Sequence, residues 1–356
     1  MKILIRVDSS VDIGSGHIMR CMTLAEQLSA QGAEVCFICR DLQGSLVNVL
    51  IKQGYSCIRF QTEAYSVDID VDATLSAIQD SFMGRIDWLI VDHYGLDAEW
   101  EMRIRPFVGN ILVIDDLANR PHDCDLLLDQ NFYIDMEARY AGLVSEKTKC
   151  LLGPAYVLLR PEFYEARKAL RYRSGVVKRV LVFFGGSDPA NQTRCVLDSI
   201  DDLQLADVRV DVVVGSANPH RRDIKEFCNS RKWAQYYCQV SNMAELILSA
   251  DLGIGAGGTA MWERCVLGLP TLTITFAENQ IKTTKDVAQI GAISYLGWFE
   301  DLTVTDYACA ISDLLNRPSY LARMSDRALG LIDTSGRGCD FIIRAMKRFT
   351  HTRVIR

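Results

Sequence analysis

No run in this chain is apolar for long enough to cross a bilayer, and the stretch Ile3-Leu4-Ile5 near the start is far too short for a signal peptide, so cytoplasmic residence without a membrane partner is expected. Basic blocks are missing too. The 39 Lys and Arg residues are spread along 356 positions and the formal net charge is −6, which leaves no segment suited to neutralising a line of phosphates and argues against nucleic acid. There is no Gly-x-Ser-x-Gly elbow and no cysteine set beside a histidine in a recognisable context, so Ser and Cys nucleophiles are unsupported. Short repeats and low-complexity tracts are also absent, and no obligate protein partner is inferred.

Cysteine is plentiful, with 12, but scattered. The one close pair, Cys36 and Cys39, lies in the strand pattern Val35–Cys39, where an offset of three puts the sulfurs on opposite faces and prevents them from sharing a metal. Reduced, mostly buried thiols are expected. Three acidic clusters also bear on metals. Asp68, Asp70 and Asp72 lack the Gly and Glu of a calcium loop, and Asp72 reads as the cap of a helix over Ala73–Ser81. Asp115-Asp116 and His122-Asp123-Cys124-Asp125 leave zinc or an Asp-stabilised turn open. No metal and no cofactor is expected.

A length of 356 residues, 49% of them hydrophobic, supplies two cores. Apolar runs at Ile3–Val7, Val35–Cys39, Trp88–Val91, Ile111–Ile114 and Leu126–Leu128 alternate with amphipathic stretches such as Ile18–Leu28 and Ser45–Lys52. The rhythm recurs at Val180–Phe184, Val208–Val214, Leu252–Gly255 and Thr271–Thr275, separated by helical patterns at Asn191–Ser199, Met243–Ser249, Thr259–Leu267 and Asn279–Ile290. This is α/β patterning: two doubly wound, Rossmann-like parallel-sheet domains, 1–173 and 174–356, joined through Arg160–Gly175, with ligands expected in a crevice at the carboxyl ends of the strands.

The first strand runs into Asp8-Ser9-Ser10-Val11-Asp12-Ile13-Gly14-Ser15-Gly16-His17, after which Ile18, Cys21, Met22, Ala25 and Leu28 recur at helical spacing. His17 therefore sits at a helix N-terminus, whose partial positive charge disfavours imidazolium and suits a general base. It is equally readable as a polar cap residue. Met19 replaces the third glycine of a dinucleotide fingerprint, which argues against NAD. Arg20, one turn on, reads either as an exposed helix arginine or as a partner of a phosphate or carboxylate. In Ile90-Val91-Asp92-His93-Tyr94-Gly95, another strand end, His93 and Tyr94 either orient a sugar hydroxyl or pack their rings.

Two glycine loops, Phe184-Gly185-Gly186-Ser187-Asp188 and Gly255-Ala256-Gly257-Gly258-Thr259, each stand between a strand and a helix pattern. Such loops turn tightly, and they also direct N–H donors and a helix dipole at a diphosphate. Glu263, a turn beyond Thr259, can accept both hydroxyls of a ribose or be a solvated helix residue.

The run Arg6-x-Asp8-x-Ser10-x-x-Ile13-Gly14-x-Gly16-His17-x-x-Arg20-Cys21 resembles the start of the UDP-2,4-diacetamido-2,4,6-trideoxy-β-L-altropyranose hydrolases of pseudaminic acid biosynthesis. Further matches are Val91–Asp97, Asp115-Asp116-Leu117, Cys124–Asn131, Leu159–Phe163, Phe184–Asp188 and Gly255–Thr259 through Trp262–Cys265. Related sequences occur among spore-coat polysaccharide proteins. The resemblance implies a GT-B fold, a UDP-sugar substrate, and metal-independent, inverting hydrolysis at C1 with His17 as base. It implies that Gly185, Gly186, Ser187, Gly257, Gly258, Thr259 and Glu263 hold UDP. Asp8, Gly16, Arg20, Tyr94, Arg160 and Asn279 are implied on the sugar side, and the biological setting becomes cell-surface polysaccharide and flagellin glycosylation. A glycosyltransferase using the same base, or a non-catalytic nucleotide-sugar-binding protein, would share most of these residues.

Overall fold

The computed structural model describes residues 1–10, 13–62, 65–81, 85–205, 207–332 and 335–354. They form two compact units, Met1–Leu159 with Ser335–Arg356, and Arg160–Thr334. The first runs β1 (Lys2–Val7), α1 (Gly16–Ala30), β2 (Glu34–Arg40), α2 (Val47–Lys52), β3 (Ser56–Phe60), α3 (Val67–Ser81), β4 (Ile86–Asp92), α4 (Ala98–Ile104), β5 (Val108–Ile114), β6 (Leu126–Asp129) and β7 (Lys149–Leu152). The second runs α5 (Pro161–Arg167), β8 (Arg179–Phe183), α6 (Gln192–Leu203), β9 (Arg209–Val214), α7 (Arg221–Asn229), β10 (Ala234–Cys238), α8 (Met243–Ser249) and β11 (Leu252–Ala256). It continues with α9 (Thr259–Val266), β12 (Thr271–Thr275), α10 (Glu278–Gln289), β13 (Ser294–Trp298), α11 (Val304–Leu315) and α12 (Pro318–Leu331), after which α13 (Gly338–Val354) returns to the first unit.

Every strand pairing is parallel, in the orders β3-β2-β1-β4-β5-β6-β7 and β10-β9-β8-β11-β12-β13. Parallel neighbours need crossovers, and helices on both faces bury the central strands: β5 is buried at all seven residues. Side chains alternate between the two layers. Ile3, Ile5, Phe37 and Cys39 join Ile18 and Leu24 on one face, while Leu4, Cys36, Ile38 and Leu89 join Trp100 on the other. Cys36 and Cys39 thus diverge as their spacing predicts.

Three differences from the sequence reading have physical causes. The strands that it lacks, β3, β7, β10 and β13, are the four sheet edges, where a strand loses one flanking neighbour and carries fewer buried residues. The helix assigned to Ala73–Ser81 begins at Val67, because Asp70 is not a loop ligand: it lies inside the helix and faces buried Arg6.

The third difference is the division of the chain, which falls after Leu159 and before Ser335, not at residue 174. Helices end with unpaired carbonyls, and the basic residues of the supposed linker supply donors for them. Arg167 bonds the carbonyls of Val266 and Leu329, and buried Arg173 those of Ile247, Ala250, Leu267 and Gly268. Gly175, at φ +84°, passes so close to Pro318 that a Cβ would stand 1.8 Å from its carbonyl oxygen. At the far end of the chain, Cys339, Ile342, Ile343 and Met346 of α13 complete the core beside Ile18 and Leu24.

Candidate active site

In both sheets the strand order reverses beside the first strand, between β1 and β4 and between β8 and β11. At such a switch point, successive crossovers leave to opposite faces and open a gap at the strands' carboxyl ends. The singled-out motifs follow these four strands.

In the first unit, Gly14 at φ +79° brings the chain from β1 into α1, and His17 occupies the opening turn with 12% of its side chain exposed. Val11 and Asp12 of that motif lie outside the described residues. His17 Nδ1 stands 2.6 Å from Oδ1 of Asp92, the last residue of β4. A carboxylate only accepts, so Nδ1 carries the proton and donates it; the 3.2 Å approach of Arg20 Nη2 to Nδ1 is then proximity between donors. In the neutral ring this leaves the Nε2 lone pair available.

Arg20 is 6% exposed and is spent on carboxylates: Nε donates to Asp92 Oδ2 at 2.6 Å, Nη2 to Asp92 Oδ1 at 2.7 Å and Nη1 to Asp116 Oδ2 at 3.2 Å. Burial works against the Asp92 charge, but Arg20 and His17 hold its carboxyl well below the usual carboxylate range. Tyr94 Oη donates to Asp116 Oδ1 at 2.6 Å, and its ring stands edge-on to His17, with centroids 4.5 Å apart and planes at 83°. Burial and then Asp116 push the Tyr94 phenol far up, so it stays protonated.

Asp8, expected on the sugar side, has no free oxygen to offer. It is 1% exposed, and Arg6, Arg40 and His93 surround it at 2.6–3.1 Å. His93 receives the Gly95 N–H on Nδ1 and faces Asp8 through Nε2; burial first lowers its pKa. The three residues that end and follow β4 thus enter different contacts: Asp92 meets His17, His93 meets Asp8, and Tyr94 meets Asp116. Gly16 is exposed, with nothing near a built Cβ.

The second unit places the remaining residues. Gly185, at φ +92°, and exposed Gly186 and Ser187 follow β8. The two glycine loops are not equivalent. Buried Asp188 takes the first N–H groups of α6, from Gln192 at 2.9 Å and Thr193 at 3.0 Å, so that helix end is already capped by a carboxylate. At α9, the N-cap residue Gly258 (φ +71°) contributes no side chain, and no carboxylate caps the helix end. A side chain at Gly258 would meet Gln280 Nε2 at 3.2 Å, and one at Gly257 would meet Thr284 Oγ1 at 3.1 Å. Thr259 opens α9 and Glu263 lies one turn on. Burial raises the Glu263 carboxyl, while Arg160 Nη2, 3.5 Å away, opposes the shift; Arg160 also meets Glu162 at 3.2 Å. Asn279 lies in the first turn of α10, beyond β12.

Sequence reasoning gave Asp92 no role and read Asp116 only as a zinc ligand or a turn residue. The available signal for Asp92 was an acidic residue ending an apolar strand at the switch-point side. Among the described residues no three His, Cys, Asp or Glu side chains are grouped to hold a metal. Asp70 pairs with Arg6, and buried His122 pairs with Glu101 at 2.7 Å.

Residues 180–336 match the glycosyltransferase family 28 C-terminal domain. The chain is 28% identical to the UDP-2,4-diacetamido-2,4,6-trideoxy-beta-L-altropyranose hydrolase of Campylobacter jejuni over 292 residues, covering 82% of this chain and 97% of that one. Against the spore coat polysaccharide biosynthesis protein SpsG of Bacillus subtilis, identity is 25%, with 95% of each covered. The crystal structure of Acinetobacter baumannii MurG superposes with a TM-score of 0.67 at 13% identity, covering 98% of this chain and all of that one, a likeness of fold alone. The chain therefore has the GT-B fold, its residues 180–336 match the family 28 C-terminal domain, and the altropyranose hydrolase and SpsG are its relatives along most of its length.

Proposed function

We propose that this protein hydrolyses a UDP-activated 2,4-diacetamido-trideoxy sugar at its anomeric carbon, with inversion, in pseudaminic acid or related cell-surface polysaccharide biosynthesis. The supporting observation is the Asp92–His17 pair at the first switch point, which holds Nδ1 protonated and leaves Nε2 as acceptor. Water gives a proton to Nε2 while its oxygen bonds to C1; the C1–O bond breaks and its electron pair leaves with UDP. Gly185, Gly186, Ser187, Gly257, Gly258, Thr259 and Glu263 are the proposed UDP residues, and the N-terminus of α9 stabilises the charge that develops on the diphosphate. Gly16, Tyr94, Arg160 and Asn279 remain proposed sugar contacts. Asp8 and Arg20 are given supporting roles instead, because their polar atoms are engaged within the first unit.

No helix of the described residues is long and apolar enough to cross a membrane, and the proposed location is the cytoplasm. The test is UDP release from the UDP-sugar in EDTA and oxygen-18 water, with label expected on C1 and not on the β-phosphate. His17→Ala should keep UDP binding and lose about 10²–10⁴-fold in turnover. The family 28 domain favours a second reading, glycosyl transfer, which an absolute requirement for an added acceptor would establish.

A further inference from the structure

A single hydrogen bond at Nδ1 hinges an imidazole but does not stop it from turning about its bond to Cβ. In this protein the second restraint on His17 is the Tyr94 ring, and the Tyr94 ring is in turn held by its hydroxyl on Asp116. Asp116 is itself fixed from several sides. Its side chain also receives Arg20 Nη1 at 3.2 Å and Asn131 Nδ2 at 3.5 Å, and its backbone carbonyl receives Tyr133 Oη at 3.1 Å and Arg139 Nη2 at 2.9 Å. Asp116 is buried, at 7% exposure, and is tied to Asp92 as well through the shared Arg20. An edge-to-face contact is directional, so the angle of the Tyr94 ring limits the angle of the imidazole.

We propose that Asp116 is a positioning residue for the His17 base: by anchoring the Tyr94 hydroxyl it keeps the Tyr94 ring edge-on to the imidazole and Nε2 aimed in one direction. This rests on the reading of His17 as the base, but its geometric part can be measured without turnover.

The test uses the full chain as D116A, D116N, Y94F and D116A/Y94F, with two readouts. One is kcat and KM for UDP release. The other, without substrate, is the ring nitrogen–proton correlation spectrum of His17, identified by its loss in H17N. Expected for D116A is a fall in kcat on the order of tenfold to hundredfold that exceeds any rise in KM, since misplacement of about 1 Å costs roughly 10². D116N keeps an oxygen that can accept from Tyr94, although its NH2 group then faces Arg20 Nη1 and Asn131 Nδ2, and should be clearly faster than D116A, recovering to within about tenfold of the parent. The double variant should be no slower than the slower single variant, as for residues acting through one contact. The His17 signal should broaden or split in D116A and stay sharp in D116N.

A D116N as slow as D116A, additive losses in the double variant, or a His17 signal unchanged in D116A overturns the proposal. If D116A does not fold, Y94F decides: its ring lacks the anchor, so an unaltered His17 signal there overturns the proposal as well. If no variant and not even the parent hydrolyses a UDP-sugar while the His17 signals follow the expected pattern, the function fails and the positioning role stands.

Discussion

Replacing Asp92 with Asn changes one atom, and the contacts around it decide the outcome. The carboxylate receives His17 Nδ1 and Arg20 Nη2 on Oδ1, and Arg20 Nε and Cys21 Sγ on Oδ2. With the Asn oxygen at the Oδ1 position, the NH2 group meets Arg20 Nε, whose single hydrogen points straight at it. With the oxygen at Oδ2, the NH2 group faces His17 Nδ1 and one fixed hydrogen of Arg20 Nη2, while Arg20 Nε and Cys21 Sγ both keep their acceptor. The second orientation has one conflict fewer, provided that Nδ1 becomes an acceptor. That moves the neutral ring's proton to Nε2 and removes the base. The expected loss is the general-base contribution, about 10²–10⁴ in kcat, or roughly 3–5 kcal/mol of barrier at about 1.4 kcal/mol per tenfold. Continuous UDP-release kinetics read it, with calorimetric UDP affinity and thermal melting as controls, since the proposed UDP residues lie in the other unit. A folded D92N within about threefold of the parent would refute both the tautomer assignment and the role of the pair.

Three more outcomes follow from the same contacts. Glu263→Gln should weaken UDP binding several-fold with little change in melting temperature, measured by calorimetry against UDP and 2′-deoxy-UDP; equal discrimination against the deoxy nucleotide in both proteins removes Glu263 from the ribose site. Burial, and then Asp116, raise the Asp129 carboxyl to about 7. The folded chain therefore keeps a proton between about pH 4 and 7 that the unfolded chain has lost, and stability falls across that window and levels off above it. Asp129→Asn lacks this titration, so melting temperatures should favour the variant more at pH 8 than at pH 4.5. Arg173→Met leaves the carbonyls of Ile247 and Leu267 without their side-chain donor, while Ala250 keeps Arg171 and Gly268 keeps Ser325, and should cost about 2 kcal/mol in denaturant unfolding, at roughly 1 kcal/mol per carbonyl left unpaired.

Strand and helix periodicity, with glycines at the ends of β1, β8 and β11, was enough to read two doubly wound sheets and to place His17 at a helix start. Those features are local: side-chain alternation, backbone freedom and helix-end electrostatics act over a few residues. The four edge strands escaped the reading because their half-buried faces do not produce continuous apolar runs. The basic stretch after Arg160 looked like a tether because the carbonyls that it binds lie 74–162 positions away. In the same way, the Asp92 and Asp116 side chains meet His17, Arg20 and Tyr94 across separations of up to 96 residues. Which nitrogen of His17 holds the proton is decided by that distant carboxylate, since a titratable side chain takes its protonation and direction from whatever the folded backbone sets beside it.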